Sequence, residues 1–482
     1  MRVLFVASEC GPLIKTGGLA DVVWSLPRAL GSAGVEARIM MPAYPGVAAR
    51  LEGAESREIG DVFGYSARLI TGTVAERSMI LLDAPGLFDR PGNPYTDPDG
   101  ADWADNHSRF AALGLAAAAV ALDGIGGWVP DAVHAHDWQA GLVPVYLRHA
   151  GRASPPTAIT IHNVAFQGLF PATALSALHL PAESFHPEGI EFHGQIGFLK
   201  GGLAYADRIT TVSPTYAREL MTPEFGMGLE GMLRHRRRDL VGILNGADLE
   251  IWDPGTDAAL PAIYSVSNRT GKTKNRKALA ERYGLELSED RPLFCVISRL
   301  TEQKGLDILL QVLPHLVETG ARLAVLGSGD KVLEEGFAAA AAQHPGRIGV
   351  EIGYDEELAH LLQAGSDAIV VPSRFEPCGL TQLYGLRYGT LPVVGRTGGL
   401  ADTIIDANPA AIRAGVATGF QFAPVEQEPL RAVIDRVCAA YADRALWQRM
   451  MVSAMRQPVG WDEAALAYRA LYQDLVKGTA EL

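Results

Sequence analysis

The chain has 482 residues, 48% of them hydrophobic and 20% charged, with a formal net charge of −13. This length predicts two domains, because single cores stop growing beyond about 250–300 residues. The acidic balance argues against a general nucleic-acid binder, which needs a basic face to neutralise phosphates.

The N-terminal segment MRVLFVASEC enters a strand-like run without a basic region and a long apolar stretch, so we expect no signal peptide. No apolar run has the length of a membrane span, and the Ala-rich segment 111–122 is predicted to be a buried helix. The cysteines, Cys10, Cys295, Cys378 and Cys438, are far apart and form no CxxC pair. This spacing favours neither a disulfide framework nor a zinc site, and we expect a cytoplasmic protein.

Apolar strand-like runs alternate with helical patterns along the chain, which is typical of parallel βαβ units. The predicted strands of the first half are 3–8, 37–42, 132–136, 157–162 and 209–213. Those of the second half are 293–298, 321–327, 349–353, 368–373 and 391–395. Each run is uniformly apolar, as expected of strands covered by helices on both faces. The sequence therefore predicts an α/β protein with two doubly wound domains.

The predicted domains are residues 1–245 and 246–455, with a boundary marked by the polar stretch 264–277, which has turn residues but no strand pattern. Residues 456–482 are predicted to form a helix that packs back on the first domain. Its apolar positions recur at helical spacing: Trp461, Leu466, Tyr468, Leu471, Tyr472 and Leu475.

The heptapeptide KTGGLAD at 15–21 is repeated as RTGGLAD at 396–402. In the first copy the glycine pair Gly17-Gly18 follows a strand and opens a helix, so free N–H groups and the helix dipole favour an anion. Lys15 adds a full positive charge. The alternative is that the glycines only make a tight turn between strand and helix.

A dinucleotide-binding fingerprint is missing. The first βα turn is ECGPLIKTGG instead of GxGxxG, and LGSGDKV at 326–332 has no third glycine. An NAD-dependent enzyme is therefore disfavoured.

The segment HAHDWQAG at 134–141 places His134 and His136 on one face of a strand end. The pattern HxHD is compatible with a metal site, but no third ligand cluster is evident, and two such histidines are compatible with a structural role. Asp137 is better explained as an acid that binds hydroxyl groups, and Trp138 as a flat surface for a sugar ring. His162 and Asn163 end the next strand and are predicted to reach the same crevice, with a core histidine as the alternative.

In the second half, SRLTEQKG places Arg299 and Lys304 after a strand, at the start of a helix. Two cations there can neutralise a departing diphosphate without a metal, although a solvated surface is the alternative. VPSRFEPCGLTQLYG then places Glu376 on a loop before a helix that starts near Gly379. This carboxylate is suited to binding sugar hydroxyls.

Seven motifs in order, KTGGLADV, RPGNPY, HAHDW, IHN, NGAD, SRLTEQKG and SRFEPCGLTQLYG, resemble those of bacterial glycogen synthases and plant starch synthases. The resemblance extends from residue 1 to about 475. It implies the GT-B fold, two Rossmann-like lobes that close on a nucleotide sugar. It also implies retaining transfer of glucose from ADP-glucose to the non-reducing 4-hydroxyl of an α-1,4-glucan such as glycogen. We also expect no cofactor and no metal, because cationic side chains can meet the charge on the diphosphate. The acidic balance and the absence of a long apolar run predict no nucleic acid and no membrane partner.

The resemblance also assigns roles to residues. The diphosphate is assigned to Lys15, Gly17, Gly18, Arg299 and Lys304. The transferred glucose is assigned to Asp137, His162, Asn245 and Glu376, with backbone or hydroxyl contacts from Cys378, Gly379, Leu380 and Thr381. Tyr354 is expected to stack on adenine, Tyr95 and Trp138 to carry the acceptor, and Asp21 to join the substrate-binding residues. The N-terminal domain is thus the acceptor side and the second domain the nucleotide-sugar side.

Three points stay open. Many retaining GT-B enzymes have a second glutamate eight positions after the first, where this chain has Tyr384, which leaves ribose recognition by a carboxylate in doubt. RTGGLAD is expected to shape the cleft floor, with a purely structural turn as the alternative. Retention by double displacement would need Glu376 or Asp137 as nucleophile. The resemblance favours same-face transfer, in which an ADP oxygen takes the acceptor proton.

Three other functions are weighed. A UDP-sugar transferase or a glycogen phosphorylase would share the architecture, but a phosphorylase needs a pyridoxal-bearing lysine in a much longer chain. A non-catalytic glucan-binding protein would have no use for clustered Arg299, Lys304 and Glu376.

Overall fold

A computed structural model describes residues 1–480, with side chains described through residue 478. The chain divides into two compact units. Unit 1 is Met1–Asn245 together with the chain from Trp461 onward, and unit 2 is Gly246–Gly460. Each unit is an α/β structure built on a mainly parallel sheet, which confirms the predicted fold class.

Unit 1 has a nine-stranded sheet of order β12-β11-β7-β6-β1-β2-β5-β4-β3. Its strands are β1 (Arg2–Val6), β2 (Glu36–Pro42), β3 (Glu52–Val62), β4 (Tyr65–Val74), β5 (Arg77–Asp83), β6 (Ala132–His136), β7 (Thr157–Ile161), β11 (Arg208–Thr211) and β12 (Leu240–Gly242). A three-stranded antiparallel sheet is formed by β8 (Leu169–Pro171), β9 (Glu191–Phe192) and β10 (Gln195–Gly197). All five strands predicted for the first half are present.

The large sheet has four strands that the sequence patterns missed, and three of them, β3, β4 and β5, lie at one side. β3 and β4 are antiparallel, as are β4 and β5, whereas the pairs from β5 to β12 are parallel. β3 is exposed over almost its whole length and carries Glu52, Glu55, Glu58 and Asp61. Charged side chains on an edge strand prevent pairing with other chains, and they also hide the strand from a search for apolar runs.

The helices of unit 1 cover this sheet. They are α1 (Gly18–Ser32), α2 (Pro85–Phe88), α3 (Asn106–Asp123), α4 (Leu142–Arg148), α5 (Phe198–Tyr205), α6 (Pro214–Glu219), α7 (Glu230–His235) and α17 (Asp462–Ala480). Four short 3-10 turns span Ala48–Arg50, Trp138–Ala140, Ala172–Ala174 and Ala182–Ser184. The Ala-rich segment lies in α3 and is largely buried, as predicted. Within residues 1–480, no helix has the length and apolar character needed to cross a membrane.

The C-terminal helix α17 is part of unit 1, although the whole of unit 2 separates it from the rest of that unit in sequence. It packs on α1, and the Tyr472 hydroxyl is hydrogen-bonded to His134 Nδ1 at 2.6 Å. Tyr468 and Leu475 are also buried, whereas Leu466, which the periodicity placed on the apolar face, is 57% exposed. The helix therefore closes the core of the first unit with its tyrosine face.

Unit 2 has a six-stranded parallel sheet of order β15-β14-β13-β16-β17-β18. Its strands are β13 (Leu293–Ile297), β14 (Arg322–Gly327), β15 (Ile348–Ile352), β16 (Ala368–Val371), β17 (Leu391–Gly395) and β18 (Phe420–Phe422). Its helices are α8 (Thr270–Tyr283), α9 (Leu306–Glu318), α10 (Lys331–Gln343), α11 (Glu356–Gly365), α12 (Thr381–Tyr388), α13 (Gly398–Thr403), α14 (Pro409–Ala414), α15 (Gln427–Ala442) and α16 (Arg444–Met455). All five strands predicted for the second half are present.

The polar stretch 264–277 is not a boundary segment, and that prediction was wrong. Most of it belongs to α8, inside unit 2. Two of its polar side chains point inward: Asn275 exchanges hydrogen bonds with the backbone of Ala262, and Lys272 donates to the Thr390 hydroxyl at 2.7 Å. Because these buried polar groups find partners from distant segments, the local pattern resembled a solvated linker.

Candidate active site

The first heptapeptide forms the turn from β1 to α1. Lys15 Nζ lies 2.7 Å from the carboxylate of Asp21, one turn into the helix, and both side chains are partly exposed. A Cβ on Gly17 or on Gly18 would meet no atom within 4 Å. The protein itself therefore does not require glycine at these positions, and the space above them is open to a ligand that approaches the backbone closely.

Glu9 holds this turn in place and was missed in the sequence. Its buried carboxylate accepts hydrogen bonds from the Thr16 hydroxyl at 2.8 Å, from Gly17 N–H at 3.3 Å and from the Tyr95 hydroxyl at 2.7 Å. The Tyr95 hydroxyl also lies 2.8 Å from Ser8 Oγ. The phenol predicted to meet the acceptor is thus anchored through Glu9 to the turn of the first heptapeptide, and its half-buried ring remains partly accessible.

Asp137 follows β6 in a backbone conformation that is unusual for a residue with a side chain, with φ at 55°. Its carboxylate accepts hydrogen bonds from the N–H groups of His162 and Asn163, at 2.7 and 3.4 Å. Burial raises the pKa of this carboxyl to about 7, against the opposing effect of the two N–H donors. A strained, buried acid with a raised pKa at a strand end is typical of a functional site.

Three histidines at these strand ends are neutral at pH 7, because burial lowers the pKa of His134 and of His162 to about 3 and that of His136 well below its ordinary value. His136 Nδ1 lies 2.9 Å from His162 Nε2, and the rings of His134 and His136 are 4.1 Å apart. His134 Nε2 is hydrogen-bonded to the Thr160 hydroxyl at 2.6 Å. The hydrogen bonds of His134 orient it within the core. In the part of the chain that the structure describes, no three His, Cys, Asp or Glu side chains are grouped to hold a metal ion.

Asp137→Asn is expected to stabilise the protein above pH 7. The folded state holds the Asp137 proton more tightly than the unfolded chain does, so the free energy of unfolding falls as pH rises from about 4 to 7. At about 1.4 kcal/mol per pKa unit, the difference at pH 8 has an upper limit of about 4 kcal/mol. Thermal unfolding of both proteins at pH 5 and pH 8 measures it. Asp474→Asn, at an exposed position of α17, is the control and should show no such pH dependence. A stability difference that is equal at both pH values would contradict the raised pKa.

Trp138 does not present the open ring face that was predicted for it. The side chain is 9% exposed and packs edge-on against Phe110, with ring centroids 4.9 Å apart, and against Phe170. A Cβ on Gly168 would lie 2.3 Å from the indole ring. The sequence could not distinguish a sugar platform from a core ring, because the aromatic neighbours come from distant segments.

Asn245, by contrast, has an unused acceptor. It ends the first segment of unit 1, after β12, and its Oδ1 atom is buried without a hydrogen-bond partner among the described residues. A buried polar atom without a partner is costly, so it needs an explanation such as a ligand.

In unit 2, two loops at the carboxyl ends of β13 and β16 are tied together. The Arg374 guanidinium forms a bidentate ion pair with Asp307 at 2.6 and 2.7 Å. The backbone N–H of Arg374 donates to Gln303 O. Gly305 has φ at 68°, and a Cβ there would lie 1.9 Å from Pro372 O. Only glycine fits this contact, which brings the SRLTEQKG turn against the SRFEP loop.

This contact places Lys304 beside Glu376. Lys304 Nζ lies 2.6 Å from Glu376 Oε2, and the two side chains are only 18% and 10% exposed. The Ser373 hydroxyl donates to the same carboxylate oxygen at 3.0 Å. Arg299 lies on the same turn as Lys304, is exposed and forms no ion pair among the described residues. The predicted cations and acid of unit 2 are therefore on adjoining loops, and Arg299 is available to an anion.

Two aromatic positions of unit 2 differ in exposure. Tyr354, between β15 and α11, is 68% exposed, which suits stacking on a planar ligand. The Tyr384 ring is stacked on Trp252, with centroids 3.9 Å apart and planes 5° apart, and Trp252 is stacked in turn on His360. Tyr384, which stands where many retaining GT-B enzymes have the second glutamate, is thus part of an aromatic stack within unit 2.

The second heptapeptide lies beneath the Glu376 loop. Gly398 has φ at 42°, and a Cβ there would lie 2.0 Å from Glu376 O. A Cβ on Gly399 would lie 2.4 Å from Cys378 O. The two copies therefore differ: protein backbone fills the space beside the second glycine pair, whereas the first pair faces open space. Arg396, the first residue of the second heptapeptide, is exposed.

The glycines of LGSGDKV have the same kind of role. A Cβ on Gly327 would lie 2.0 Å from Ser298 O, and one on Gly329 would lie 2.5 Å from Leu300 O. They permit close contact with the loop that carries Arg299.

Comparisons with known proteins show the family of this chain. Residues 2–235 match the family described as starch synthase catalytic domain, and residues 279–449 match glycosyl transferases group 1. A glycogen synthase of Roseobacter denitrificans is 58% identical over 99% of this chain and 100% of the relative. The chain belongs to the glycogen synthase family. A second member, from Paracoccus denitrificans, is 55% identical over 98% of this chain and 99% of the relative.

Solved structures give the same result for the fold. The catalytic domain of starch synthase IV from Arabidopsis thaliana, bound to ADP and acarbose, has a TM-score of 0.90 and 30% identity, with 99% of each chain covered. A sucrose-phosphate synthase from Thermosynechococcus elongatus, at 16% identity and a TM-score of 0.59, shares the fold alone. This member of the glycogen synthase family is thus a GT-B glycosyltransferase, as its motifs predicted.

Proposed function

We propose that this enzyme transfers glucose from ADP-glucose to the non-reducing 4-hydroxyl of an α-1,4-glucan, with retention, and so elongates glycogen in the cytoplasm. The observation that carries the proposal is the Lys304–Glu376 pair beside the unpaired Arg299, at the carboxyl ends of parallel strands. The relative bound to ADP and acarbose supports the donor. Unit 2 is the proposed nucleotide-sugar side and unit 1 the acceptor side.

The proposed chemistry of unit 2 is stabilisation of the leaving ADP. Arg299 and Lys304 neutralise charge that develops on the diphosphate as the bond to glucose breaks. The backbone and hydroxyl groups of residues 378–381 contact the transferred glucose, and the helix start near Gly379 also faces the diphosphate. Tyr354 stacks on adenine. Glu376 accepts hydrogen bonds from the glucose hydroxyls.

The residues of unit 1 take complementary roles in this proposal. Lys15 and the Gly17-Gly18 turn approach the diphosphate, Asp21 orients Lys15, and Asp137, His162 and Asn245 bind the transferred glucose. Tyr95 offers its accessible edge to the acceptor. Trp138 supports the site from the core instead of touching a sugar, since its ring is covered by Phe110 and Phe170.

Same-face transfer is the proposed route to retention. In it the acceptor hydroxyl attacks from the side that ADP leaves, and its proton passes to the ADP oxygen. The resemblance to glycogen synthases supports this route over a covalent intermediate, which would need Glu376 or Asp137 as nucleophile. Trapping of a glucosyl-enzyme would overturn it.

The test is incorporation of labelled glucose into glycogen from ADP-glucose and from UDP-glucose, each with and without EDTA. We expect ADP-glucose to be the better donor and activity to survive EDTA, because cationic side chains meet the leaving charge. Preference for UDP-glucose would overturn the donor assignment. Glycogen binding without turnover of either donor would instead indicate a glucan-binding protein, and loss of activity in EDTA would revive the metal alternative for HAHD.

A further inference from the structure

The loop after Glu376 turns successive carbonyl groups toward the body of unit 2. The N–H of Gly399 donates to Glu376 O at 3.2 Å and to Pro377 O at 3.1 Å. The next two carbonyls are held by a side chain: Gln382 Nε2 donates to Cys378 O at 2.9 Å and to Gly379 O at 3.1 Å. Hydrogen bonds from Gly399 and Gln382 thus hold the four consecutive carbonyl groups of residues 376–379.

This arrangement fixes the direction of the intervening N–H groups. In a planar trans peptide the C=O and N–H bonds point in opposite directions, and the peptides of this loop are trans. The N–H groups of Gly379 and Leu380 therefore point away from Gln382, and neither has an acceptor among the described residues. Gly379 has φ at 74° and Leu380 has φ at −119° and ψ at −31°. Such a left-handed then right-handed pair makes successive N–H groups converge on an anion.

The environment of the Gln382 side chain suits a donor of hydrogen bonds to this loop. The side chain is completely buried, and its amide nitrogen also lies 3.4 Å from Thr403 Oγ1, whose proton is donated to Gly399 O. Three acceptors surround this group, so it must be the nitrogen of the amide that faces them. The other atom, Oε1, is then buried without a partner among the described residues. An unpaired buried acceptor is unfavourable, so the hydrogen bonds that Nε2 donates to the loop must offset this cost.

We propose that Gln382 is a positioning residue, which holds the loop 376–380 so that its N–H groups form the binding surface for the diphosphate of the donor. This inference rests on the proposed function. Gln382 touches no ligand itself; it acts through the carbonyls of Cys378 and Gly379. The N–H groups it orients add to the charges of Arg299 and Lys304.

The test compares Gln382→Met with the wild type. Methionine keeps the length of the side chain and removes the donor. We expect the dissociation constant of ADP, measured calorimetrically, to rise at least tenfold and kcat to fall at least tenfold. The affinity for adenosine, which has no phosphate, should change less than twofold. Gln382→Glu should be worse than Gln382→Met, because a carboxylate would face the loop carbonyls.

Gln421→Met is the matched control. The Gln421 amide also donates to two carbonyls, Ala401 O at 3.3 Å and Ile404 O at 2.5 Å, but it does not contact the loop 376–380. We expect a similar loss of thermal stability with unchanged ADP affinity. Equal ADP binding and kcat in Gln382→Met and the wild type would overturn the inference. If the wild type itself binds no ADP, the proposed donor is wrong, and inorganic pyrophosphate then serves as the probe of the same N–H groups.

Discussion

Arg299→Ala and Lys304→Ala are each expected to lower kcat by about 100- to 1,000-fold with ADP-glucose and glycogen, because each removes a preorganised cation from developing charge on the diphosphate. Their effects on stability should differ. Arg299 is exposed and has no ion pair in the described part of the chain, so its removal should leave the unfolding temperature unchanged. Lys304 neutralises a carboxylate that is 10% exposed, and breaking such a pair costs about 3–5 kcal/mol.

A second substitution separates the two effects of Lys304. In Lys304→Ala/Glu376→Gln the buried charge is gone, so stability should recover while kcat stays low. Lys277→Ala, at an exposed position of α8, is the control and should match the wild type in both measurements. Arg299→Ala with a kcat within threefold of the wild type would contradict the assigned role.

Gly399→Ala is expected to lower both kcat and the free energy of unfolding. The equivalent change in the first heptapeptide, Gly18→Ala, should not lower the free energy of unfolding. The added Cβ at 399 would lie 2.4 Å from Cys378 O and 2.5 Å from Cys378 Cα, so the backbone of the loop must move. Overpacking of this kind costs about 1–3 kcal/mol. A shift of about 1 Å in a positioned group lowers kcat by about 100-fold.

At Gly18 the Cβ would meet nothing, and alanine is favoured over glycine in a helix by about 0.5–1 kcal/mol. Unfolding temperature should therefore stay equal or rise. KM for ADP-glucose should increase, because the methyl group occupies the space proposed for the diphosphate. Thermal unfolding and steady-state kinetics of the two variants measure this contrast. A stable, fully active Gly399→Ala enzyme would show that the second copy does not support the loop.

The sequence predicted ten of the parallel strands, because these are runs of largely buried apolar residues. It missed β5, β12 and β18, which also pair in parallel. It did not predict β3, whose charged residues face solvent along an edge, nor α8, whose buried Lys272 has a partner far away in the chain. Local patterns carry no information about such distant partners.

The same limit applies to the site. Arg299, Lys304 and Glu376 could be identified because charged residues follow buried strands. Glu9 and Gln382 could not, since an isolated acid or amide gives no local signal, and their roles depend on which backbone groups approach them. The single aromatic ring Trp138 was assigned to the surface for the same reason.

The helix α17 gives the chain an unusual order of assembly. The ribosome makes residues 246–460 before it makes the tyrosines that cover His134, so unit 2 is complete while unit 1 still exposes part of its core. A chain that stalls at residue 460, or is cut there by a protease, would lose one wall of its first unit and not a dispensable tail. Completion of the core of the first unit thus waits for the segment that is synthesised last among the described residues.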